Sequence, residues 1–238
     1  MKIKRVSDKV VRSFRMRICH VSDTHGGFPR LHGRYDAVVH TGDFFPNSHH
    51  VFNRNKVQEA VFQMKWLEQN VDSLKQQLQG HPYLFVLGNH DFVNPQMVEM
   101  FLNAEGVKAF DLTDKIVTHE GVNFYGFPYV PEIGGDIWNY ELDQFKMYDK
   151  VEELAAKLNL TYTDVLACHA PFYQCLDLSY GNQVLGNHHM ANALTYKVSK
   201  DMTPSNYLCG HIHEANGVTY KNGMLVSNAA TTYHIVEI

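Results

Sequence analysis

Five short apolar segments of this chain each run directly into side chains that can bind a metal ion. In chain order, these side chains are Asp23 and His25, Asp43, Asn89 with His90 and Asp91, His169, and His211 with His213. Each segment reads as a β-strand, and in open α/β sheets the carboxyl ends of the strands form the crevice where ligands bind. We therefore expect these side chains to converge, although nearly the whole chain separates the first pair from the last.

Helical patterns alternate with the strand-length segments, which indicates an α/β protein. The longest helical pattern covers residues 55–80, where apolar residues recur at steps of three and four and Gly80 closes the helix. The apolar residues of this pattern are Val57, Val61, Phe62, Met64, Leu67, Val71, Leu74 and Leu78. Further helices are predicted over residues 94–106, 141–159 and 190–200.

Two hairpins complete the predicted elements. Residues 115–127 read as two strands turning at Glu120-Gly121, and the tail reads as a hairpin turning at Asn222-Gly223 followed by a final strand. The sequence therefore predicts a largely parallel part and an antiparallel part, with two packed sheets flanked by helices.

The charge of the chain is unevenly distributed. Residues 1–17 hold seven basic side chains and one acidic side chain, so this stretch carries +6 and the remainder −10 of the net −4. A basic arm could contact nucleic acid or an organelle import machine, but an acidic body argues against general affinity for nucleic acid. We interpret residues 1–15 as a solvated basic extension and residues 16–238 as a single domain, since α/β domains often exceed 200 residues.

Composition excludes several classes of protein. No segment is long and apolar enough to span a bilayer, and the first residues lack the apolar core of a signal peptide. The four cysteines, at positions 19, 168, 175 and 209, form no CxxC pair, and three of them lie in or at the end of apolar runs. We expect a cytoplasmic protein with no membrane partner and no disulfide framework.

The converging side chains offer oxygen and imidazole nitrogen donors but no thiolate. This donor set suits divalent ions such as Mn, Fe, Ni or Zn, and it exceeds what one tetrahedral site requires. Two ions sharing a carboxylate would clamp the attacking and leaving oxygens of a displacement at phosphorus and would supply hydroxide near neutral pH. Gly42, Gly88 and Gly210 precede three of the positions and would let the backbone turn close to an ion.

The order of the segments resembles that of the calcineurin-like metallophosphoesterases. Their pattern, D-x-H, G-D, G-N-H-[DE], H and G-H-x-H, matches this chain from residue 23 to residue 213. The resemblance implies a four-layer α/β/β/α sandwich with two mixed β-sheets and a dinuclear metal centre bridged by Asp43. The ligands it implies are Asp23, His25, Asp43 and His213 for one ion, and Asp43, Asn89, His169 and His211 for the other. It also implies that His90 stabilises the phosphoryl oxygen or protonates the leaving group, and that Asp91 orients His90.

A finer similarity concerns one branch of this family. Residues 210–231 and the aromatic loop at 126–141 are similar to the MPPED-type branch, which is related to class III cyclic-nucleotide phosphodiesterases. The chain departs from the known patterns in two places, because "CHAP" replaces that branch's H-G-P-P and "GDFFPNSH" lacks the arginine of the phosphoprotein phosphatases. The missing arginine argues against a Ser/Thr phosphoprotein phosphatase.

Some residues outside the motifs keep two interpretations. The aromatic side chains Tyr129, Trp138 and Tyr140 could stack a nucleobase or form a packed corner of the fold. The pairs His49-His50 and His188-His189 could touch substrate or lie on solvated loops. Other predictions are structural roles for His20 and His40, packing of Phe44 and Phe45 beneath the site, a core position for Trp66, and a cleft wall formed by Phe172 and Tyr173.

These observations predict a metallophosphoesterase with two divalent metal ions and a small phosphoester or nucleotide-type substrate. A phosphodiester cleaved by a metal-bridging hydroxide is the leading hypothesis, with Mn²⁺ expected to support activity in an assay. The alternatives are a phosphomonoesterase acting on nucleotides or small phosphates, and a scaffold that kept the fold and lost catalysis. A scaffold predicts eroded ligands, whereas every ligand position is filled here. A nuclease needs a basic cleft or an added DNA-binding domain, and neither is visible in the sequence.

Overall fold

The computed structural model describes residues 16–133, 135 and 137–238, so the predicted basic extension at residues 1–15 lies outside the described residues. The strands are β1 (Arg17–Val21), β2 (Ala37–Thr41), β3 (Tyr83–Val86), β4 (Ala109–Asp111), β5 (Ile116–His119), β6 (Val122–Phe127), β7 (Val130–Pro131), β8 (Glu141–Leu142), β9 (Val165–Cys168), β10 (Asn206–Cys209), β11 (Gly217–Lys221), β12 (Met224–Asn228) and β13 (Tyr233–Glu237). The helices are α1 (Lys56–Leu78), α2 (Pro95–Ala104), α3 (Gln144–Leu160) and α4 (His188–Tyr196).

The first large sheet has the strand order β13-β1-β2-β3-β4. Strands β1 to β4 run parallel, and β13 pairs antiparallel with β1 at the edge, with His20 opposite His234. Because β1, β2 and β3 are neighbours and run parallel, the residues that follow them emerge at the same edge of the sheet.

The second large sheet has the order β11-β12-β10-β9-β6-β5. Its central strands are parallel, and antiparallel hairpins form both edges, with turns at Glu120-Gly121 and Asn222-Gly223. All four turn residues have positive φ, which is the backbone that a two-residue hairpin turn requires. The mixed topology of both sheets agrees with the sequence prediction.

Three layers of apolar side chains hold the elements together. Helices α1 and α2 pack on the outer face of the first sheet, where Leu67 and Leu74 meet Val38 and Phe85. Helices α3 and α4 cover the outer face of the second sheet. Between the two sheets lies a third cluster, which includes Val39, Leu84, Phe124, Ala167 and Leu208. The predicted α/β/β/α sandwich is therefore confirmed.

Helix α1 lies where the sequence predicts it, but two of the apolar residues predicted to be buried in its first half are exposed. Leu67, Val71, Leu74 and Leu78 are buried as expected, whereas Val57 is 73% exposed and Val61 is 44% exposed. Glu59 and Gln63 are buried in their place because they bind the loops that carry the candidate site. The left-handed residue directly after the helix is Gln79, one position before the predicted Gly80.

Several other element boundaries differ from the prediction. The sequence pattern does not predict strand β4, because three residues are too few to show a period. Glu141 and Leu142 pair as strand β8 rather than starting a helix, and Asp143 caps α3 by accepting from the backbone N–H groups of Phe145 and Lys146. Helix α4 begins at His188, two residues before the predicted start.

The four cysteines are free and buried, which agrees with the prediction of no disulfide framework. Within the part of the chain that the structure describes, no helix has both the length and the apolar character needed to cross a bilayer.

Candidate metal centre

The backbone at the strand ends adopts a strained conformation that aims the candidate ligands at one another. Asp23 (φ 53°), His25 (φ 44°), Asp43 (φ 56°) and His211 (φ 70°) all lie in the left-handed region. Non-glycine residues rarely adopt this region, Asp and His more readily than most, and such strain clusters at functional sites. The turn out of each strand is thus built from the residues that would act there.

The buried carboxylate of Asp43 lies between two groups of candidate ligands. Its Oδ1 is 3.3 Å from Nε2 of His169 and accepts a hydrogen bond of 2.8 Å from the backbone N–H of His90. Its Oδ2 is 3.9 Å from Nε2 of His25 and 4.0 Å from Nε2 of His90. The two oxygens of one side chain therefore face different imidazoles.

Asp23, His25 and His213 form the first group of potential ligands, with one donor atom of each lying within 4.8 Å of the others. Oδ2 of Asp23 accepts a 2.8 Å hydrogen bond from the backbone N–H of His211. Oδ1 of Asp23 is buried without a hydrogen bond, and Nε2 of His213 lies 3.3 Å from it. A buried carboxylate oxygen that lacks a hydrogen-bond partner and faces imidazole nitrogens fits a cation.

Asp43, His169 and His211 form a second group within the same 4.8 Å limit. Nδ1 of His169 lies 2.8 Å from the carbonyl oxygen of Thr41, so this nitrogen carries a proton and donates it. Nε2 of His169 therefore faces two oxygens, Oδ1 of Asn89 at 2.9 Å and Oδ1 of Asp43. This arrangement requires either a second proton on His169 or a cation between these atoms, so the second group also fits a metal ion.

The pKa values of the buried groups reflect the same arrangement. Burial alone would lower the pKa of His169, but the charge of Asp43 and then that of Asp23 raise it to about 9. Burial would raise the pKa of Asp43, yet the imidazoles of His169, His90 and His25 hold it well below its usual range. Burial, with His169 as a further cause, lowers the pKa of His211 to about 4. The cluster thus holds an ionised carboxylate beside several imidazoles. A bound cation would displace the protons that these imidazoles carry.

His90 lies beside Asp43, and its ring is contacted at one edge by Asn47 and on one face by Trp138. Nδ1 of His90 is 2.6 Å from Oδ1 of Asn47. The indole of Trp138 stacks on the imidazole, with ring centroids 3.9 Å apart and planes inclined by 26°. The sequence predicts neither contact.

The hydrogen bonds that the structure describes for the carboxylate of Asp91, which is predicted to orient His90, come from backbone N–H groups and not from the His90 ring. Both oxygens of the buried Asp91 carboxylate accept backbone N–H groups, at 2.8 Å from Gly88, 3.2 Å from Phe44 and 2.9 Å from Phe45. Burial and the neighbouring charge of Asp43 raise the pKa of Asp91 to about 7. Asp91 therefore ties the loop after β3 to the loop after β2, and Asn47 takes the place at the His90 ring.

Glu59 and Gln63 support these loops from helix α1. Glu59 accepts hydrogen bonds from the backbone N–H of Ser48 at 2.7 Å, from its hydroxyl at 2.5 Å and from Nδ2 of Asn47 at 3.3 Å. Gln63 donates to the carbonyl oxygen of His90 at 2.8 Å and accepts from the backbone N–H of Phe92 at 2.7 Å. The sequence contains one signal for this supporting role: the two polar residues lie one helical turn apart, on the same side of α1 as Leu67.

Glycines are required at three of the turns because the ligands fill the space beside them. A Cβ on Gly88 would overlap Oδ1 of Asp43, and a Cβ on Gly210 would overlap Oδ2 of Asp23. Gly42 has φ 107°, and a side chain there would overlap His169. The close approach expected of these glycines is therefore present.

The aromatic loop divides between packing and the site. The hydroxyl of Tyr129 donates to Asp114 at 2.6 Å, and its ring lies 5.9 Å from that of Tyr140, so both residues form a packed corner. Trp138 is the member that reaches the candidate site. Phe172 is buried in the core under α3 and α4, so the prediction that it walls a cleft is wrong.

The remaining histidines occupy several environments. His20 bonds Ser227 and Thr41 between the sheets, and Nε2 of His40 lies 3.1 Å from the hydroxyl of Thr24, which agrees with structural roles. The rings of His188 and His189 have centroids 3.9 Å apart with planes inclined by 38°, and both residues line a separate cleft of about 200 Å³. The rings of His49 and His50, after β2, have centroids 4.2 Å apart with planes inclined by 41°.

Phe44 and Phe45 pack beneath the site as predicted, whereas Trp66, which is predicted to be a core residue, is only partly buried against the core cluster. Phe44 and Phe45 are buried, and the Trp66 ring lies 5.5 Å from that of Phe44.

Comparison with known proteins gives a family and a fold. The family described as calcineurin-like phosphoesterase matches residues 16–215. No curated protein matches the chain. One crystal structure is 13% identical and aligns over 94% of this chain and 95% of its own, with a TM-score of 0.64.

Two further solved structures come from Thermus thermophilus. TT1561 is 14% identical and aligns over 90% of this chain and 89% of its own, with a TM-score of 0.53. A 5'-nucleotidase precursor is 14% identical over 90% of this chain and 48% of its own, with a TM-score of 0.43. At these identities the first two structures establish the fold alone.

Proposed function

The chain belongs to the calcineurin-like phosphoesterase family, whose members hydrolyse phosphoric esters, and we propose that it is a phosphodiesterase that uses two divalent metal ions. Membership of this family makes the protein a hydrolase of phosphoric ester bonds. The preference for a diester, the ligand assignment and the roles of individual residues are our proposals.

The position of the Asp43 carboxylate carries the proposal. Its two oxygens face different imidazoles, His169 on one side and His25 and His90 on the other. A buried carboxylate surrounded by imidazoles is costly without a cation or protons on those rings, because burial penalises its charge. A carboxylate between two donor groups can be shared by two ions.

We assign the seven candidate ligands to two ions. Asp23, His25, Asp43 and His213 would hold one ion, and Asp43, Asn89, His169 and His211 would hold the other. When bound, a pair of divalent ions supplies Lewis acidity at phosphoryl oxygens and lowers the pKa of water. The polypeptide contributes the orientation of these ligands, since Asp23 and Asp43 are each fixed by a backbone N–H.

His90 would give a proton to the leaving oxygen through Nε2. Glu59 accepts from Nδ2 of Asn47, which sets the Asn47 amide so that its Oδ1 faces Nδ1 of His90. Nδ1 of His90 therefore carries a proton, and Nε2 is the nitrogen on the side of Asp43 that can exchange one. The hydrogen bonds thus determine which nitrogen of His90 exchanges the proton, as the partners of catalytic imidazoles do.

Two features support a diester over a monoester. None of the candidate site residues is a lysine or arginine, so the second negative charge of a monoester would find no basic side chain among them. The similarity of residues 210–231 to the MPPED-type branch also favours a diester. Both features concern the charge and identity of the substrate and leave the metal assignment unchanged.

The test compares bis-p-nitrophenyl phosphate with p-nitrophenyl phosphate, using Mn²⁺-loaded protein and protein treated with chelator. We expect hydrolysis of the diester with Mn²⁺ and none with chelator. With a diester that releases phenol, His90→Ala should lower kcat by about 10²–10⁴-fold, as expected for loss of a general acid, whereas release of p-nitrophenol, which needs no proton, should fall much less. The matched control is His32→Ala, since His32 is exposed and lies outside the cluster.

Three outcomes would contradict parts of this proposal. Much faster cleavage of the monoester would exclude the preference for a diester. Unchanged turnover of the phenol-releasing diester in His90→Ala would remove His90 from the reaction. Hydrolysis that persists in chelator would exclude metal dependence.

A further inference from the structure

A cleft of about 510 Å³ is lined in part by residues that directly follow the candidate metal ligand His213 in the chain. One wall consists of Glu214, Ala215 and Asn216, the first two of which belong to the short 3₁₀ turn that begins at His213. The opposite wall comes from the segment that runs from Gln174 to Val184. The cleft therefore begins one residue beyond His213, and its volume falls within the range of about 300–1,000 Å³ that is usual for small-molecule sites.

Hydrogen bonds tie the two walls together. Nδ2 of the buried Asn228 donates to the carbonyl oxygen of Leu176 at 3.0 Å and to that of Ile212 at 3.1 Å. The backbone N–H of Tyr180 donates to Oε1 of Glu214 at 3.3 Å. A single buried side chain thus fixes the separation between the loop of the metal ligands and the outer wall.

The outer wall is also braced internally. The buried Asp177 accepts from the backbone N–H of Gln174 at 2.8 Å and from that of Gly186 at 3.1 Å. Ser179 donates its backbone N–H to the carbonyl oxygen of Gln183 at 3.0 Å, which closes a small turn at the tip. The cleft is therefore preformed, so binding would cost little in ordering its walls.

The lining has a definite chemical character. Leu176, Leu178, Val184 and Ala215 present apolar surface, and Leu178 is 52% exposed and Val184 39% exposed. The charged residues among the described lining are both acidic: Asp177, which is buried and hydrogen-bonded, and Glu214. A group that fits this cleft is apolar and is either uncharged or cationic, because an added anion would meet Glu214 without a basic partner in the lining.

We propose that this cleft binds the organic group of the substrate while the phosphoryl group lies at the metal centre. The proposal rests on the proposed function, since it needs a phosphoester held beside His213. It assigns the substrate class as phosphoesters that carry an apolar, non-anionic substituent, and it disfavours substrates with a second phosphate or carboxylate on that substituent.

The test is a binding measurement with three phosphonates that share one head group. Methylphosphonate, phenylphosphonate and 4-carboxyphenylphosphonate are titrated into Mn²⁺-loaded protein by isothermal calorimetry. Phenylphosphonate should bind at least about ten-fold tighter than methylphosphonate, because its ring leaves water for the apolar wall. Binding of the phenyl compound should also show the more negative heat-capacity change. The 4-carboxyphenyl compound should lose most of this gain.

Two variants and a matched control test whether the differences in phosphonate affinity arise in this cleft. Leu178→Lys should bring the ratio of phenyl to methyl affinity close to one, and Glu214→Lys should make 4-carboxyphenylphosphonate the tightest of the three. Leu160→Lys changes another exposed leucine, 84% accessible on α3, and should leave all three affinities unchanged.

The outcomes separate this proposal from the proposed function. Equal affinities of wild-type protein for methyl- and phenylphosphonate would overturn the cleft proposal and leave the metal centre intact. A ratio that is unchanged in Leu178→Lys would also overturn it. If none of the three phosphonates binds while bis-p-nitrophenyl phosphate is hydrolysed, the cleft proposal alone is overturned; if none binds and the diester is not hydrolysed, the proposed function fails and the cleft proposal with it.

Discussion

The indole of Trp138 covers one face of the His90 imidazole, with 3.9 Å between the ring centroids. The neighbouring Asn139 fixes this arrangement, since its backbone N–H donates to the carbonyl oxygen of Asn89 at 2.9 Å and its Nδ2 to that of Asp91 at 2.8 Å. The aromatic loop is thus bound to the loop that carries the proposed acid. With Asn47 at its edge, His90 has little freedom to rotate.

Replacing Trp138 should impair proton delivery more than it impairs binding. Trp138→Leu should lower kcat by about 10–100-fold for a diester that releases phenol and much less for one that releases p-nitrophenol, which needs no proton. Trp138→Phe keeps a ring for stacking and should recover most of the loss. Steady-state kinetics with both leaving groups measure the difference. An equal loss for both would indicate that Trp138 acts only through folding.

Glu59 should stabilise the fold through the loop that follows β2. Truncation in Glu59→Ala leaves the backbone N–H of Ser48 and Nδ2 of Asn47 without this acceptor. We expect the free energy of unfolding to fall by about 2–4 kcal/mol, measured by denaturant titration. Glu68→Ala on the exposed face of the same helix is the control and should change it by less than about 0.5 kcal/mol. Similar values for the two variants would contradict the supporting role of Glu59.

Asp43→Asn should reduce metal loading at both proposed positions. An amide removes the negative charge that would be shared by two ions, and its nitrogen cannot act as the second oxygen donor. We expect wild-type protein to retain close to two equivalents of Mn²⁺ and the variant to retain less than one, measured by elemental analysis after desalting. Asp72→Asn, at a side chain that is 86% exposed, should load like the wild type. Unchanged two-ion occupancy in Asp43→Asn would refute the bridging assignment.

The position of the candidate site could be predicted because it depends on strand ends. The residues after β1, β2 and β3 emerge at one edge of the first sheet, and those after β9 and β10 emerge from neighbouring strands of the second. Short apolar runs that end in Asp, Asn or His therefore contain the information directly. The glycines before these residues carry the same signal, since their lack of a side chain leaves room for the ligands.

The supports of the site could not be predicted, because they depend on contacts between segments with no shared period. Apolar spacing places Val57 and Val61 on the buried face of α1, but the site loops bind Glu59 and Gln63 instead. Hydrogen bonds to a distant loop thus override the helical pattern. The contact between Trp138 and His90 joins residues 48 positions apart through an irregular loop, for which the sequence offers no rule.

The last prediction concerns the metal-free protein at alkaline pH. Burial lowers the pKa of His169, but Asp43 and Asp23 outweigh it and raise the pKa to about 9, above the usual 6.5. The nearby Asp23 carboxylate likewise raises the pKa of His213. The folded state therefore holds more protons than the unfolded state between these values, so stability is fully present below about pH 6.5 and is lost as pH rises toward about 9. The lowered pKa of His211, about 4, falls outside this window, and Asp91, whose pKa is raised to about 7, adds to the fall only up to about pH 7.

Denaturant titrations in chelator should accordingly show a free energy of unfolding that falls by roughly 2–4 kcal/mol between pH 6.5 and pH 9. Asp43→Asn removes the main cause of the raised pKa of His169 and should flatten this dependence, whereas Asp72→Asn should keep it. Saturating Mn²⁺ should abolish the fall, because the ligands then bind the ion as unprotonated imidazoles and metal affinity rises with pH. A metal-free protein whose stability is constant or increases over this range would show that Asp43 and His169 are not paired in the fold.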